Sequence, residues 1–160
     1  MYIQNKRYYS LFGWVGFLIS VGYFIGLITK PSIDVWYHEL QRSALTPPNF
    51  IFPVAWTLLY GLLGVYAWIL WNKLHNVDET LILKILYTVQ LVLNWSWSPV
   101  FFIYHAIGVA LFILIMMNII TLIMMKLSWN HFRQLSFLII PYLMWIMFAT
   151  YLNLYIWLYN

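Results

Sequence analysis

Residues 85–125, ILYTVQLVLNWSWSPVFFIYHAIGVALFILIMMNIITLIMM, run for 41 positions without one Asp, Glu, Lys or Arg. As a single helix rising about 1.5 Å per residue, the stretch would extend roughly 60 Å. That is about twice the roughly 30 Å hydrocarbon core of a bilayer, so the segment must fold back on itself. A helical hairpin near Pro99–His105 does this. Residues 8–29, 43–72 and 134–160 lack the same four residue types. Together the stretches predict five spans, at about 10–29, 50–72, 80–102, 104–127 and 134–158.

Composition agrees with a membrane fold. Hydrophobic residues make up 64% of the 160 positions and charged residues 8%, where a soluble domain carries about 25% charged. A soluble fold of this size could not hide so much apolar surface. Five spans and short loops consume the chain as one domain, leaving no room for a catalytic domain outside the membrane. The fold class is therefore an all-α integral membrane protein, a five-transmembrane-helix bundle with a short amphipathic helix in the first loop. The absence of cysteine excludes disulfides, thiolate nucleophiles and Cys-based metal sites. The formal charge of +4 comes from basic residues scattered over several loops, which suits contact with anionic lipid and not nucleic acid.

Local signals mark where the helices begin and end. Tyr23 to Lys30 offers no small-residue cleavage site, so residues 10–29 read as a retained span. Gly22 and Gly26 form a GxxxG pair suited to close helix approach, within the chain or in a dimer. Lys30-Pro31 ends that helix on this reading. In the following loop, Ile33, Trp36, Tyr37 and Leu40 recur at helical spacing, with Asp34, His38, Glu39 and Arg42 on other faces. That pattern predicts the short amphipathic helix. Thr46-Pro47-Pro48 leads into the second span, Asp78-Glu79-Thr80 opens the third, and Pro141 should bend the fifth.

The N-terminus, second loop and fourth loop carry six basic residues, against Lys30 and Arg42 in the first loop. Six against two places the N-terminus in the cytoplasm of a bacterial cell membrane, with an outer-membrane location as the alternative.

No Asp, Glu, Lys or Arg lies at mid-membrane depth, which disfavours an ion-driven carrier. The four histidines sit at span ends or in loops, without metal-ligand spacing, so no metal site is assigned. The interior offers amides and rings instead. Gln90, Asn94, Trp97 and Phe101 share one face of the third span, and Trp56 and Tyr60 one face of the second. Trp145, Ala149 and Leu152 share a face of the fifth. Ten Trp, 13 Tyr and 11 Phe exceed what interfacial belts need. Such a set suits either tight interhelical packing or a pocket for a flat, largely apolar ligand.

Four blocks of sequence resemble the TspO/translocator-protein family, also described as tryptophan-rich sensory proteins or peripheral-type benzodiazepine receptors. They are Trp36-Tyr37 with Leu40; Thr46-Pro47-Pro48-Asn49-Phe50 with Pro53, Trp56-Thr57 and Leu59-Tyr60; Gln90-Leu91 with Leu93-Asn94-Trp95, Trp97 and Phe101-Phe102; and Pro141-Tyr142-Leu143 with Trp145, Phe148-Ala149-Thr150 and Leu152-Asn153. The resemblance implies a five-helix bundle, usually a homodimer, with a cavity beneath the first loop. It implies porphyrin or haem precursors as ligands, no required cofactor, and a sensor, scavenger or transport-facilitator role. Trp36, Trp56, Tyr60, Asn94, Trp97, Trp145, Phe148, Ala149 and Leu152 are the implied ligand-binding positions, with the Trp36 loop as a lid.

Two alternatives stay open. Light-dependent porphyrin degradation is attributed to pocket tryptophans in some bacterial members, and Trp56 and Trp145 match those positions. A sterol- or lipid-binding translocator is the other. The sequence departs from the family pattern at Arg42-Ser43-Ala44-Leu45, where the family often has Lys-Pro-x-Trp, and at Val109, where animal members carry tryptophan. Tyr155-Ile156-Trp157-Leu158-Tyr159-Asn160 also lacks the basic residue of the sterol-recognition pattern, which favours tetrapyrrole over cholesterol.

Overall fold

The computed structural model describes residues 2–72, 74, 78–131 and 133–160, with the backbone alone for 2–8, 78–79 and 130–131. The side chains of Lys6, Arg7 and His131, and all of Lys73 and His75, lie outside the described residues. Six helices follow in order among those described: α1 (Tyr2–Asp34), α2 (Trp36–Glu39), α3 (Ile51–Asn72), α4 (Asp78–Phe102), α5 (Ile107–His131) and α6 (Arg133–Tyr159).

The short α2 is the amphipathic turn of the first loop: Tyr37 is buried while His38 and Glu39 are exposed. Among the described residues four helices are long and apolar enough to cross a membrane, namely the α1 segment Tyr9–Asp34, Ile51–Asn72, Ile107–Trp129 and Arg133–Tyr159. Helix α4 is the fifth of the expected spans and stands apart from these four in composition. At 25 residues α4 has the length, but Gln90, Asn94, Ser96 and Ser98 dilute its apolar character. Those amides are spent inside the bundle, as described below.

One expectation is corrected at Pro31, which does not end the first helix and instead lies inside α1. Proline removes one backbone bond, to the carbonyl four residues back. The chain still completes another turn. The Lys30 ammonium meets the Asp34 carboxylate at 2.6 Å across that turn, an exposed pair worth only a few tenths of a kcal/mol. Pro99 is likewise accommodated within the last turn of α4. There the Ile103 and Tyr104 amides both donate to the Pro99 carbonyl, and the Ala106 amide to the Val100 carbonyl. The chain then reverses through His105, in the left-handed region at φ 53°, which closes the hairpin expected near Pro99–His105.

Packing pairs the helices as α1 with α3, α3 with α6, α6 with α5, α5 with α4, and α4 with α1. These neighbours close a five-membered ring, and the rings of α2 pack on Phe101, Phe102 and His105, at the end of α4 and just beyond it. Helix α1 is the most peripheral: 6% of its span is buried, against 39% to 44% in the other three apolar helices. Its contact with α3 depends on two glycines. A Cβ on Gly64 would stand 2.7 Å from Val15 Cα, and one on Gly22 would strike the Tyr60 ring. Gly22 is thus used inside the chain, whereas Gly26 faces open space. Large apolar side chains such as Phe12, Phe24, Phe112, Met144 and Trp157 point outward, the arrangement that hydrocarbon, not water, tolerates.

Candidate functional site

The half of the bundle away from the first loop is filled by tyrosines whose hydroxyls are all engaged. Tyr66 and Tyr87 stack at 5.5 Å. The Tyr66 hydroxyl meets Ser128 Oγ at 3.0 Å, and Tyr87 donates to the Leu63 carbonyl at 2.9 Å. With water excluded, each unpaired polar group would cost several kcal/mol.

Above it lies a polar relay across three helices. Tyr60 of α3 donates to Asn94 Oδ1 of α4 at 2.5 Å, and Asn94 Nδ2 donates to the Tyr142 hydroxyl of α6 at 2.9 Å. Gln90 Nε2 donates to the same hydroxyl in a short contact. Each polar atom of Asn94 thus has one protein partner, and the residue ties three helices together.

On the loop side of the relay, rings from α3, α4 and α6 meet. Trp56 lies 5.8 Å from Tyr60, 6.2 Å from Trp97 and 6.4 Å from Trp145, edge to face. Trp97 stacks on Phe101 at 5.7 Å and donates its indole N–H to Asn153 Oδ1 at 3.2 Å. Asn153 in turn donates to the Ile107 carbonyl at 3.0 Å. Trp145 differs from Trp97 in this respect, because its indole nitrogen is buried without a hydrogen-bond partner. An unmet buried donor costs about 1–3 kcal/mol, and within this ring cluster that donor is on Trp145.

From the sequence these rings suit either tight packing or a pocket. In the structure the rings touch one another, and an open depression of about 650 Å3 lies at the loop, lined by His38, Leu40, Arg42, Ser43, Thr46, Pro47, Pro48 and Asn49. Each aromatic pair gains about 0.5–1.5 kcal/mol beyond simple burial, which draws the rings together. A file of rings still connects the two regions. Ser43 of the depression bonds the Tyr151 hydroxyl at 2.7 Å, Tyr151 stacks on Phe148 at 6.3 Å, and Phe148 touches Trp145 at 6.0 Å.

The remaining expected residues fall around this axis. Ala149 and Leu152 are buried, at 7% and 6% exposure. Trp36 sits to one side of the depression, stacked on His105 at 4.0 Å and edge-on to Phe101 at 5.5 Å, so the lining falls to later loop residues. Burial raises the Tyr37 hydroxyl pKa above its ordinary value, and the Arg42 guanidinium, 5.1 Å over the ring, pulls it part of the way back. No cluster of His, Asp or Glu suited to a metal forms among the described residues.

Sequence reasoning assigned no role to Tyr142, Tyr151, Asn153 or the polar loop residues. Tyr142 was within reach of periodicity, since it precedes Ala149 by seven positions on the same helical face. Arg42 and Ser43 carried no such signal, because their placement depends on loop contacts with a helix more than a hundred residues later.

Comparison with known proteins accords with this architecture. The TspO/MBR family model matches residues 14–158. The tryptophan-rich protein TspO of Archaeoglobus fulgidus is 34% identical over 143 residues, covering 89% of this chain and 92% of that protein. The translocator protein of Homo sapiens is 33% identical over 124 residues, covering 76% and 73% respectively. The tryptophan-rich sensory protein of Cereibacter sphaeroides is 33% identical over 128 residues, covering 80% and 77%. The chain belongs to the TspO/MBR family and is an integral membrane protein.

Proposed function

We propose that this TspO/MBR-family chain binds a flat tetrapyrrole of the porphyrin or haem-precursor class, as a sensor, scavenger or transport facilitator. The observation that carries the reading is the meeting of Trp56, Trp97 and Trp145 from three helices, with the Trp145 N–H buried and unpartnered. A flat apolar ring entering from the loop depression would slide between the indoles, exchange ring-ring contacts for ring-ligand contacts, and offer Trp145 an acceptor. Because the cluster already packs on itself, binding must spread it. The free-energy gain then comes from larger stacked area and the satisfied donor. Names given to relatives, "translocator protein" and "tryptophan-rich sensory protein", support transport or sensing equally.

The same reading takes α4 as a fifth span, its amides turned into the bundle, and places the N-terminus in the cytoplasm of a bacterial cell membrane. It takes the protein as a homodimer with no required cofactor. A detergent-corrected mass of twice 19.2 kDa tests the dimer. The test of the ligand class is the absorption spectrum of protein purified from its native host. A Soret band co-eluting with the chain supports tetrapyrrole, and a stoichiometric lipid or sterol in its place counts against it.

A second reading, light-dependent porphyrin degradation, draws support from the edge-to-face contact of Trp56 and Trp145. Two adjacent indoles offer an electron donor to an excited porphyrin. Illuminating protein with protoporphyrin and comparing Trp56→Phe and Trp145→Phe decides it: equal product yields in wild type and both variants exclude these residues from the chemistry.

A further inference from the structure

The loop depression has a chemical character that ring stacking does not use. Arg42 and His38 line it together with Ser43, Thr46 and Asn49, and no Asp or Glu does. Among the described residues the ion pair is Lys30 with Asp34, so the half-buried Arg42 guanidinium has no carboxylate within 4.0 Å. A guanidinium held partly out of water without a counter-charge is a site for an oxyanion, which it grips through two parallel N–H bonds.

The position of Arg42 is fixed from both sides. Its neighbour Gln41 donates its amide to Asn160 Oδ1 at 2.9 Å, and the Gln41 carbonyl accepts from Asn160 Nδ2 at 3.2 Å. On the other side, Ser43 Oγ bonds Tyr151 at 2.7 Å and accepts the Leu45 amide at 3.1 Å. The segment 41–43 is thus tied to α6 at two points, and the Tyr37 ring supports one face of the guanidinium. The guanidinium also bonds the Tyr37 hydroxyl, which uses part of its five-donor fork and leaves the rest for an oxyanion. A donor already held in place loses little freedom on binding.

We infer that Arg42 is the seat for a peripheral carboxylate of the bound ring system, so that the pocket selects flat apolar molecules bearing an acid group over their neutral analogues. Thr46 and the His38–Asn49 pair, whose side chains meet at 3.3 Å, supply the further polar contacts around that oxyanion. The ligand would lie with its apolar body toward Trp145 and its acid edge at the loop, which also fixes the direction in which it enters. The inference deepens the tetrapyrrole reading and rests on it.

The test is a tryptophan-quenching titration of wild type, Arg42→Gln and Arg42→Lys in non-ionic detergent. The probes are protoporphyrin IX, which carries free carboxylates, and its dimethyl ester, each with and without added phosphatidylglycerol. Wild type should bind the acid about tenfold more tightly than the ester, the scale of one charge-assisted hydrogen bond. Arg42→Gln should bring the two affinities together. Arg42→Lys, which keeps the charge but loses the fork, should leave an intermediate preference and serves if the Gln variant does not fold. Equal binding of acid and ester by wild type overturns the inference while leaving the tetrapyrrole reading intact. An undiminished acid preference in Arg42→Gln overturns the role of Arg42. Selective displacement of the acid by phosphatidylglycerol gives the seat to a lipid phosphate and overturns the ligand-carboxylate assignment. Binding of neither probe overturns the tetrapyrrole reading itself, and the seat falls with it.

Discussion

The Trp36 indole lies flat against the His105 imidazole, ring centroids 4.0 Å apart and planes 12° from parallel. The stack joins the first loop to the α4–α5 turn, and Ser32 Oγ holds the far side of the ring, 3.0 Å from His105 Nε2. His105 adopts φ 53° to make this contact, a conformation that costs a non-glycine residue about 1 kcal/mol or more. Stack and strain can therefore be separated. His105→Gly should relieve the strain while losing the stack, whereas His105→Ala loses the stack and keeps the strain. Thermal melts in detergent should rank wild type above Gly and Gly above Ala. An Ala variant at least as stable as Gly would show that the backbone there is not strained.

The α1–α3 contact predicts opposite outcomes for two glycines. Gly64→Ala places a methyl carbon 2.7 Å from Val15 Cα, a backbone atom that cannot swing aside. The helices must separate, at about 1–3 kcal/mol. Gly26→Ala meets nothing within 4 Å and should be neutral or stabilising by up to about 1 kcal/mol through reduced freedom of the unfolded chain. Equal melting temperatures for the two variants would rule out the close approach of α1 and α3.

In the polar relay, Tyr142 accepts from both Asn94 and Gln90, while Tyr60 donates one bond. Tyr142→Phe strands two amide donors and Tyr60→Phe strands one acceptor. Interhelical bonds in membranes average about 0.6 kcal/mol with a maximum near 1.7. The Tyr142 variant should therefore be the less stable by roughly 1 kcal/mol, read from unfolding in a denaturing detergent. A Tyr60→Phe variant less stable than Tyr142→Phe would displace Tyr142 from the centre of the relay.

Ala149 is buried beside the aromatic cluster. Ala149→Leu should both overpack the core, lowering stability by about 1–3 kcal/mol, and weaken porphyrin binding several-fold. The two readouts separate its roles. A lowered melting temperature with unchanged affinity would leave Ala149 in the core and remove it from the ligand site.

Much of the fold was legible because a bilayer imposes a simple rule on composition. Apolar runs without charge had to be helices, and their lengths placed α3, α4, α5 and α6 close to their observed ends. Even the single turn of α2 was visible, from the spacing of Ile33, Trp36 and Tyr37. Pro31 misled because a proline near the end of a long helix deletes one bond without forcing a stop. The helical faces carrying Trp56, Asn94, Trp97 and Trp145 were legible from a period of 3.6. Periodicity says which side chains share a face, but not whether the rings there enclose space or fill it. The loop depression was illegible for a different reason: it is held by Asn160 on Gln41 and Tyr151 on Ser43, contacts between distant residues that leave no local pattern.

The central claim is that a tetrapyrrole inserts among the indoles of α3, α4 and α6. It is tested most directly by fluorescence titration of purified protein with protoporphyrin, alongside Trp145→Phe, which removes the unpartnered N–H. The account predicts saturable quenching at one ligand per chain, with affinity reduced several-fold in the variant. Quenching that rises without saturation, and identically in wild type and variant, would mean that the porphyrin partitions into detergent and that the indole cluster is packing alone.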